Sequence, residues 1–107
     1  MFTEVETIAL SGNVITTITP ESFAANLKLT FLSLSSNKLT SVENLGHLVN
    51  LQALNLSDNA IEEVDISQLP PNLLSLKLAG NPIEQRAQES GKLSLYRKPF
   101  VLGLQNL

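Results

Sequence analysis

One phrase recurs along this chain and constrains its fold more than any other feature. In each copy an apolar residue is followed by another three positions later, then by a leucine, an asparagine and a final apolar residue. The copies cover residues 5–15, 29–39, 51–61 and 73–83, with asparagines that are 24, 22 and 22 residues apart. A unit this short cannot bury its own apolar face, so we expect the copies to stack around one continuous core.

The third copy shows how each unit would lie in such a stack. Leu54 and Leu56 alternate there with the small or polar residues Ala53, Asn55 and Ser57. Alternation of period two predicts a half-buried strand, and successive units would place such strands side by side in a parallel sheet. The inner face needs a cover. We expect it from the apolar residues of the return segments: Ile18, Phe23, Leu27, Val42, Leu45, Leu48, Val64, Ile66 and Leu69.

These observations predict an α/β fold, a leucine-rich repeat solenoid. The predicted coil is right-handed, with a parallel β-sheet on its concave face and short helices or turns on its convex face. Residues 1–83 would form four leucine-rich repeats, and residues 84–107 a C-terminal capping segment. Within that segment we expect a short helix or turn over 84–91 and an apolar cap over 96–107.

The outward strand positions are the candidate partner-binding surface. We call them the sheet face: Thr7, Ala9, Ser11, Phe31, Ser33, Ser35, Ala53, Asn55, Ser57, Ser75, Lys77 and Ala79. Most of these side chains are small and uncharged, which suits close approach of a partner's helix or extended segment. Phe31 is the best single candidate for an anchor, because aromatic residues are enriched among the residues that dominate binding energy. The alternative is that Phe31 leans onto its neighbours and binds nothing.

The repeated asparagines have a structural interpretation. A buried amide at the end of each strand must satisfy its donors and its acceptor. We expect a ladder in which each side chain bonds backbone groups of its own coil and of the next, formed by Asn13, Asn37, Asn59 and Asn81.

No residue pattern points to catalysis, a cofactor or a metal. His47 has no Cys, second His or Asp at ligand spacing. The carboxylates Glu62, Glu63 and Asp65 lack the loop spacing of a calcium site and are expected to form a solvated acidic rim. No serine lies in a nucleophile elbow, and the glycines are isolated rather than grouped in a phosphate-binding loop. We therefore predict no catalytic, cofactor or metal site, and no enzyme activity.

Composition and charge bear on the setting. The chain has no cysteine, which favours a reducing compartment. Its start lacks the features of a signal peptide, and no apolar run approaches a membrane span. We expect a soluble, cytoplasmic protein. The net charge is −3 at pH 7, and the basic residues Arg86, Lys92, Arg97 and Lys98 cluster after residue 83. Their footprint is small, so direct nucleic-acid binding gains little support. Random surface charge, or a basic end facing an acidic partner such as tubulin, are the other interpretations.

The motifs also carry a resemblance. Gly80-Asn81-Pro82-Ile83, with Tyr96-Arg97 before Leu104-Gln105-Asn106-Leu107, resembles the short, cysteine-free, intracellular class of leucine-rich repeats and its C-terminal cap. That class includes a phosphatase regulator, axonemal proteins and a spliceosomal A-prime subunit. The resemblance implies a non-catalytic scaffold or adaptor, in a ciliary or cytoskeletal assembly, with cytoplasm, cilium or axoneme and nucleus as locations. The alternatives are a ribonucleoprotein subunit that holds an RNA-binding partner and a phosphatase regulatory subunit.

Three departures from that class raise further expectations. The first unit is longer, Gln105 stands where the cap has proline, and the chain stops short of the usual Leu-Asp ending. We therefore expect the sequence to be part of a longer protein. The first strand begins close to Met1, so a partner or another segment is expected to seal the N-terminal sheet edge. An edge that frays without being sealed is the equal alternative.

Overall fold

The computed structural model describes residues 4–65 and 68–83, and its sheet follows the repeats. The strands are β1 (Thr7–Ala9), β2 (Phe31–Ser33), β3 (Ala53–Asn55) and β4 (Ser75–Lys77), and they form one sheet in the order β1-β2-β3-β4. Every neighbouring pair is parallel, and equivalent positions lie side by side: Ile8 pairs with Leu32, Leu32 with Leu54, and Leu54 with Leu76. The parallel stacking predicted from the repeat is therefore present.

The backbone bonding between coils extends beyond these short strands. Leu10 donates its N–H to the carbonyl of Ser33 at 2.9 Å, and Leu34 donates to Asn55 at 2.8 Å. Two residues further on the chain turns through the left-handed region, at Gly12, Ser36, Asp58 and Gly80 with φ of 75°, 56°, 58° and 78°. Only glycine adopts this conformation without steric cost. The turn is thus a conserved shape of the coil that two of its copies build with a non-glycine residue.

The core is a column of leucines with apolar cover from the return segments. The strand-side residues Leu32, Leu54 and Leu76 are each at most 1% exposed, and so are Leu34, Leu56 and Leu78. Cover comes from buried residues on the other side of the coil: Ile18, Phe23, Val42, Leu45, Leu48, Val64 and Leu69. This arrangement matches the predicted alternation of inward leucines and outward small residues.

Leu27 does not have the predicted place in the core. Its side chain is 51% exposed, whereas Leu29, two residues later, is fully buried. The repeat explains the difference, since Leu29 is equivalent to Leu51 and Leu73 and takes the inward position. Leu27 is instead equivalent to Val49, which is 50% exposed.

A second row of asparagines joins the coils where each coil approaches its strand. Asn50 donates to the carbonyl of Leu27 at 2.9 Å, and Asn72 donates to the carbonyl of Val49 at 2.8 Å. In the preceding coil the equivalent residue is Lys28, which pairs with Glu4. The return segments otherwise consist of turns and irregular backbone.

Several predictions fall outside the described residues. They are the capping segment 84–107 with its helix or turn (84–91), apolar cap (96–107) and basic residues, and the core position of Ile66. In the part of the chain that the structure describes, no helix has the length and apolar character needed to cross a bilayer.

Candidate partner-binding face

The sheet register arranges the sheet face in rows across the strands. Thr7, Phe31, Ala53 and Ser75 lie side by side in one row, and Ala9, Ser33, Asn55 and Lys77 form the next. Ser11, Ser35, Ser57 and Ala79 follow each strand by two residues. Backbone bonds from the next residue of one coil to this row of the following coil keep it aligned, for example from Ser36 to Ser57 at 2.9 Å. The structure thus places the predicted residues on one continuous surface.

Phe31 is the aromatic member of this surface and remains accessible. It is 37% exposed, although its strand neighbours Leu32 and Ser33 are buried. Its partners in the row are Thr7 and Ala53. Adjacent strands lie about 4.8 Å apart, so the small side chain of Ala53 leaves one flank of the Phe31 ring uncovered. The site therefore offers an apolar projection beside a shallow step.

Next to Phe31 lies a cluster of serine hydroxyls. Ser11 Oγ is 2.8 Å from Ser33 Oγ, Ser35 Oγ donates to Ser11 Oγ at 2.8 Å, and Ser33 Oγ lies 3.4 Å from Ser35 Oγ. Ser33 is only 5% exposed. Its predicted role as an open contact position is therefore wrong, because residues from its own and the preceding coil close over it. Ser33 supports Ser11 and Ser35 from below.

The remaining polar residues of the sheet face differ in freedom and charge. Asn55 Oδ1 accepts the backbone N–H of Ser57 at 3.0 Å, which fixes the amide along its own coil. Lys77 is exposed and is the one charged residue among the positions of the sheet face. The surface is consequently neutral over β1 to β3 and carries a positive charge at β4.

The asparagine ladder lies just beyond the sheet face. Asn37 Nδ2 donates to the carbonyls of Leu10 and Leu34, both at 3.0 Å, while its Oδ1 accepts the N–H of Ile15 at 3.1 Å. Asn59 and Asn81 repeat these bonds one and two coils later. Each amide thus bonds its own coil and the preceding one.

Asn13 departs from the predicted pattern of buried amides. It is exposed, and its Nδ2 bonds only within its own coil, to Leu10 O at 2.8 Å and Ser11 O at 3.4 Å. The reason is its place in the first coil, where no described coil precedes it to receive the intercoil bonds. Its contribution to the structure is therefore smaller than that of Asn37.

The groups considered for metal or acid–base chemistry lie away from the sheet face. His47 Nε2 donates to the carbonyl of Phe23 at 2.9 Å, which joins two return segments. Glu43, Glu63 and Asp65 line an open cavity of about 430 Å³ among the return segments, together with Ser41, Val42, Val64 and Gln68. Over residues 4–65 and 68–83, no group of three or more His, Cys, Asp or Glu residues is placed to hold a metal ion.

Two bonding features of the chain escape sequence reasoning. The serine cluster depends on which hydroxyls face each other, and the pattern of small residues alone does not show this. Asn50 and Asn72 carry a detectable signal, since they are 22 residues apart and stand at equivalent positions of their repeats. Lys28 interrupts that series one coil earlier and conceals it.

The comparison with known families agrees with this architecture. The family model described as leucine rich repeat matches residues 3–61, which is more than half of the chain. No curated protein matches the chain significantly. Leucine-rich repeat domains generally bind other proteins and are typically non-catalytic. The parallel four-stranded sheet has the form expected of such a solenoid. The predicted fold class is confirmed, and this chain belongs to the leucine-rich repeat family.

Proposed function

We propose that this chain is a non-catalytic adaptor that binds a partner protein through its sheet face. The observation that carries the proposal is the position of Phe31, a 37% exposed aromatic ring on a sheet whose inner side is fully packed. A large apolar side chain held on a rigid support loses little freedom when a partner covers it.

The polar surroundings of Phe31 favour the same role. Ser11, Ser33 and Ser35 bond one another, and Asn55 is bonded to its own backbone. Polar groups that already have partners lose fewer bonds to water when an interface closes over them. The sheet face can thus be covered at low cost, which is the property that a binding surface needs.

The arrangement of Phe31 and Lys77 also describes the partner. Phe31 lies in β2 and Lys77 in β4, so two strand intervals, about 10 Å, separate them along the sheet. A suitable partner segment crosses the strands and presents an apolar side chain near Phe31 and a carboxylate near Lys77. A helix with these groups two turns apart has the required spacing, at 5.4 Å per turn.

The setting is a further part of the proposal. The absence of cysteine favours the reducing interior of the cell, and we place the adaptor in a cytoplasmic assembly. A ciliary or cytoskeletal assembly is the narrower form, and it rests on the resemblance of Gly80-Asn81-Pro82-Ile83 to axonemal repeats. Proximity labelling in cells tests it, since tubulin or dynein neighbours support it and spliceosomal neighbours would replace it with a ribonucleoprotein setting.

The binding proposal is tested with a matched pair of surface variants. Phe31→Ala is expected to weaken the partner's affinity by about 2 kcal/mol or more, because truncation of an aromatic anchor removes its buried contact. Val49→Ala is the control, since Val49 is 50% exposed but lies outside the sheet face. Isothermal titration with the purified partner measures both. Equal affinities for Phe31→Ala and the unmodified chain would overturn the anchor role of Phe31.

A further inference from the structure

The first coil leaves part of its apolar interior uncovered. Leu10 is 37% exposed, whereas the equivalent residues Leu34, Leu56 and Leu78 are at most 1% exposed. Ile8 and Ile15 are half-buried, although the corresponding residues of later coils are fully buried. The end of the stack at β1 therefore presents side chains that every later coil covers with its predecessor.

The backbone at this end is open in the same way. Glu6 O accepts the N–H groups of Thr30 and Phe31 at 2.8 and 3.1 Å, and Leu10 N–H reaches Ser33. Because bonding directions alternate along a strand, the N–H and C=O groups of Thr7 and Ala9 point to the opposite edge. β1 is the outer strand of the described sheet. No N–H of residues 4–65 or 68–83 donates to Asn13 Oδ1, the equivalent of the acceptor that Ile15 reaches on Asn37.

We propose that this edge binds a second copy of the chain, with the two β1 strands antiparallel about a two-fold axis at Ile8. In this register Thr7 of one copy lies opposite Ala9 of the other, and both residues have their N–H and C=O groups directed at the shared edge. Each such pair exchanges both bonds, as hydrogen-bonded pairs of an antiparallel ladder do. The same surface serves both copies, so the contact is self-complementary and closes after two chains.

The side chains agree with this register. Ile8 meets Ile8 at the axis, and Leu10 lies diagonally within reach of it, so the exposed apolar residues of the two copies come together. Glu6 faces Leu10, and Glu4 faces Gly12. Glu4 is also held by Lys28, with Nζ 2.8 Å from its carboxylate. No two like charges stand opposite each other, although β1 is flanked by two acids. This complementarity selects a second copy over an unrelated strand.

The first experiment is sedimentation equilibrium of the full 107-residue chain from micromolar to millimolar concentration. We expect a reversible monomer–dimer equilibrium. Ala9→Pro should abolish the dimer, because proline removes an N–H directed at the shared edge while the bonds to β2 remain. Phe31→Ala should leave the dimer unchanged, which separates this proposal from the binding role of the sheet face. A chain that stays monomeric throughout, as it would if a strand of another protein occupies the edge, overturns the proposal.

A second pair of variants tests the register and does not depend on proline. Leu10→Lys and Leu10→Glu remove the same apolar side chain but place opposite charges across from Glu6 of the other copy. Opposed charges in cross-strand pairs stabilise and like charges destabilise. The dimer dissociation constant should therefore be at least about tenfold larger for Leu10→Glu than for Leu10→Lys. Equal constants would exclude the antiparallel register. Exchange protection of the Leu34 and Leu56 amides verifies that each variant is folded.

Discussion

At the level of single residues, the same amino acid has unequal importance in different coils. Asn37 and Asn81 are 8% and 5% exposed and bond two coils. Asn13 is exposed and bonds only its own coil. The position of each asparagine could be predicted from its repeat, because the turn requires an amide there. Its burial could not, because burial depends on whether another coil lies against it.

This difference predicts unequal losses of stability. Asn37→Ala leaves the Ile15 N–H and the Leu10 and Leu34 carbonyls without their amide partner, and should lower the free energy of unfolding by about 2–3 kcal/mol. Asn13→Ala should lower it by less than about 1 kcal/mol, since water can replace its bonds. Urea denaturation followed by circular dichroism measures both variants. A comparable loss for the two would show that the intercoil bonds contribute little.

The glycines of the left-handed turns provide a second residue-scale prediction. Gly12 and Gly80 have φ of 75° and 78°, but a Cβ added at Gly12 meets nothing within 4 Å. A Cβ at Gly80 would collide with the Asp58 carboxylate and lie 3.2 Å from the Asp58 backbone nitrogen. We expect Gly12→Ala to cost about 1 kcal/mol for its conformation alone. Gly80→Ala should cost at least about 1 kcal/mol more. Thermal melts of both variants would refute this reasoning if their losses were the same.

At the level of strands, the repeat predicts the sheet better than it predicts surfaces. The alternation around Leu54 and Leu56 predicts parallel strands in register, because inward leucines can share one core only in that arrangement. It does not predict the burial of Ser33, which follows from contacts with Ser11 and Ser35 across two coils. Leu27 was assigned to the core from its hydrophobicity, yet the position in the repeat decides its exposure.

Hydrogen exchange tests the bonding of β1 within the strand itself. In dilute solution, where the chain is monomeric, the amides of Thr7 and Ala9 should exchange quickly because they face the open edge. The Leu10 amide should exchange more slowly, since it donates to Ser33 at 2.9 Å, and the Leu34 amide more slowly still. Nuclear magnetic resonance resolves these amides individually. Slow exchange of Thr7 and Ala9 in the monomer would mean that the edge is already covered.

At the level of the whole molecule, two surfaces follow from one repeated coil. Stacking presents the outward strand residues as a continuous sheet face, and it necessarily leaves the outer edge of the first strand without a predecessor. The sequence predicts both consequences, because both follow from periodicity. It does not identify what binds to either surface, since binding depends on residues such as Phe31 and Leu10 that depart from the repeat.

Site-specific photocrosslinking tests the central claim, that the sheet face binds a partner protein, most directly. A benzophenone side chain replaces Ala53, which is next to Phe31 in its row, or the exposed Glu43 of a return segment as the control. The labelled chains are irradiated in extract of the cells that contain the protein. The account predicts one crosslinked protein at position 53 that disappears with Phe31→Ala and is absent at position 43. The same products at both positions, or products at position 53 that persist with Phe31→Ala, would contradict it.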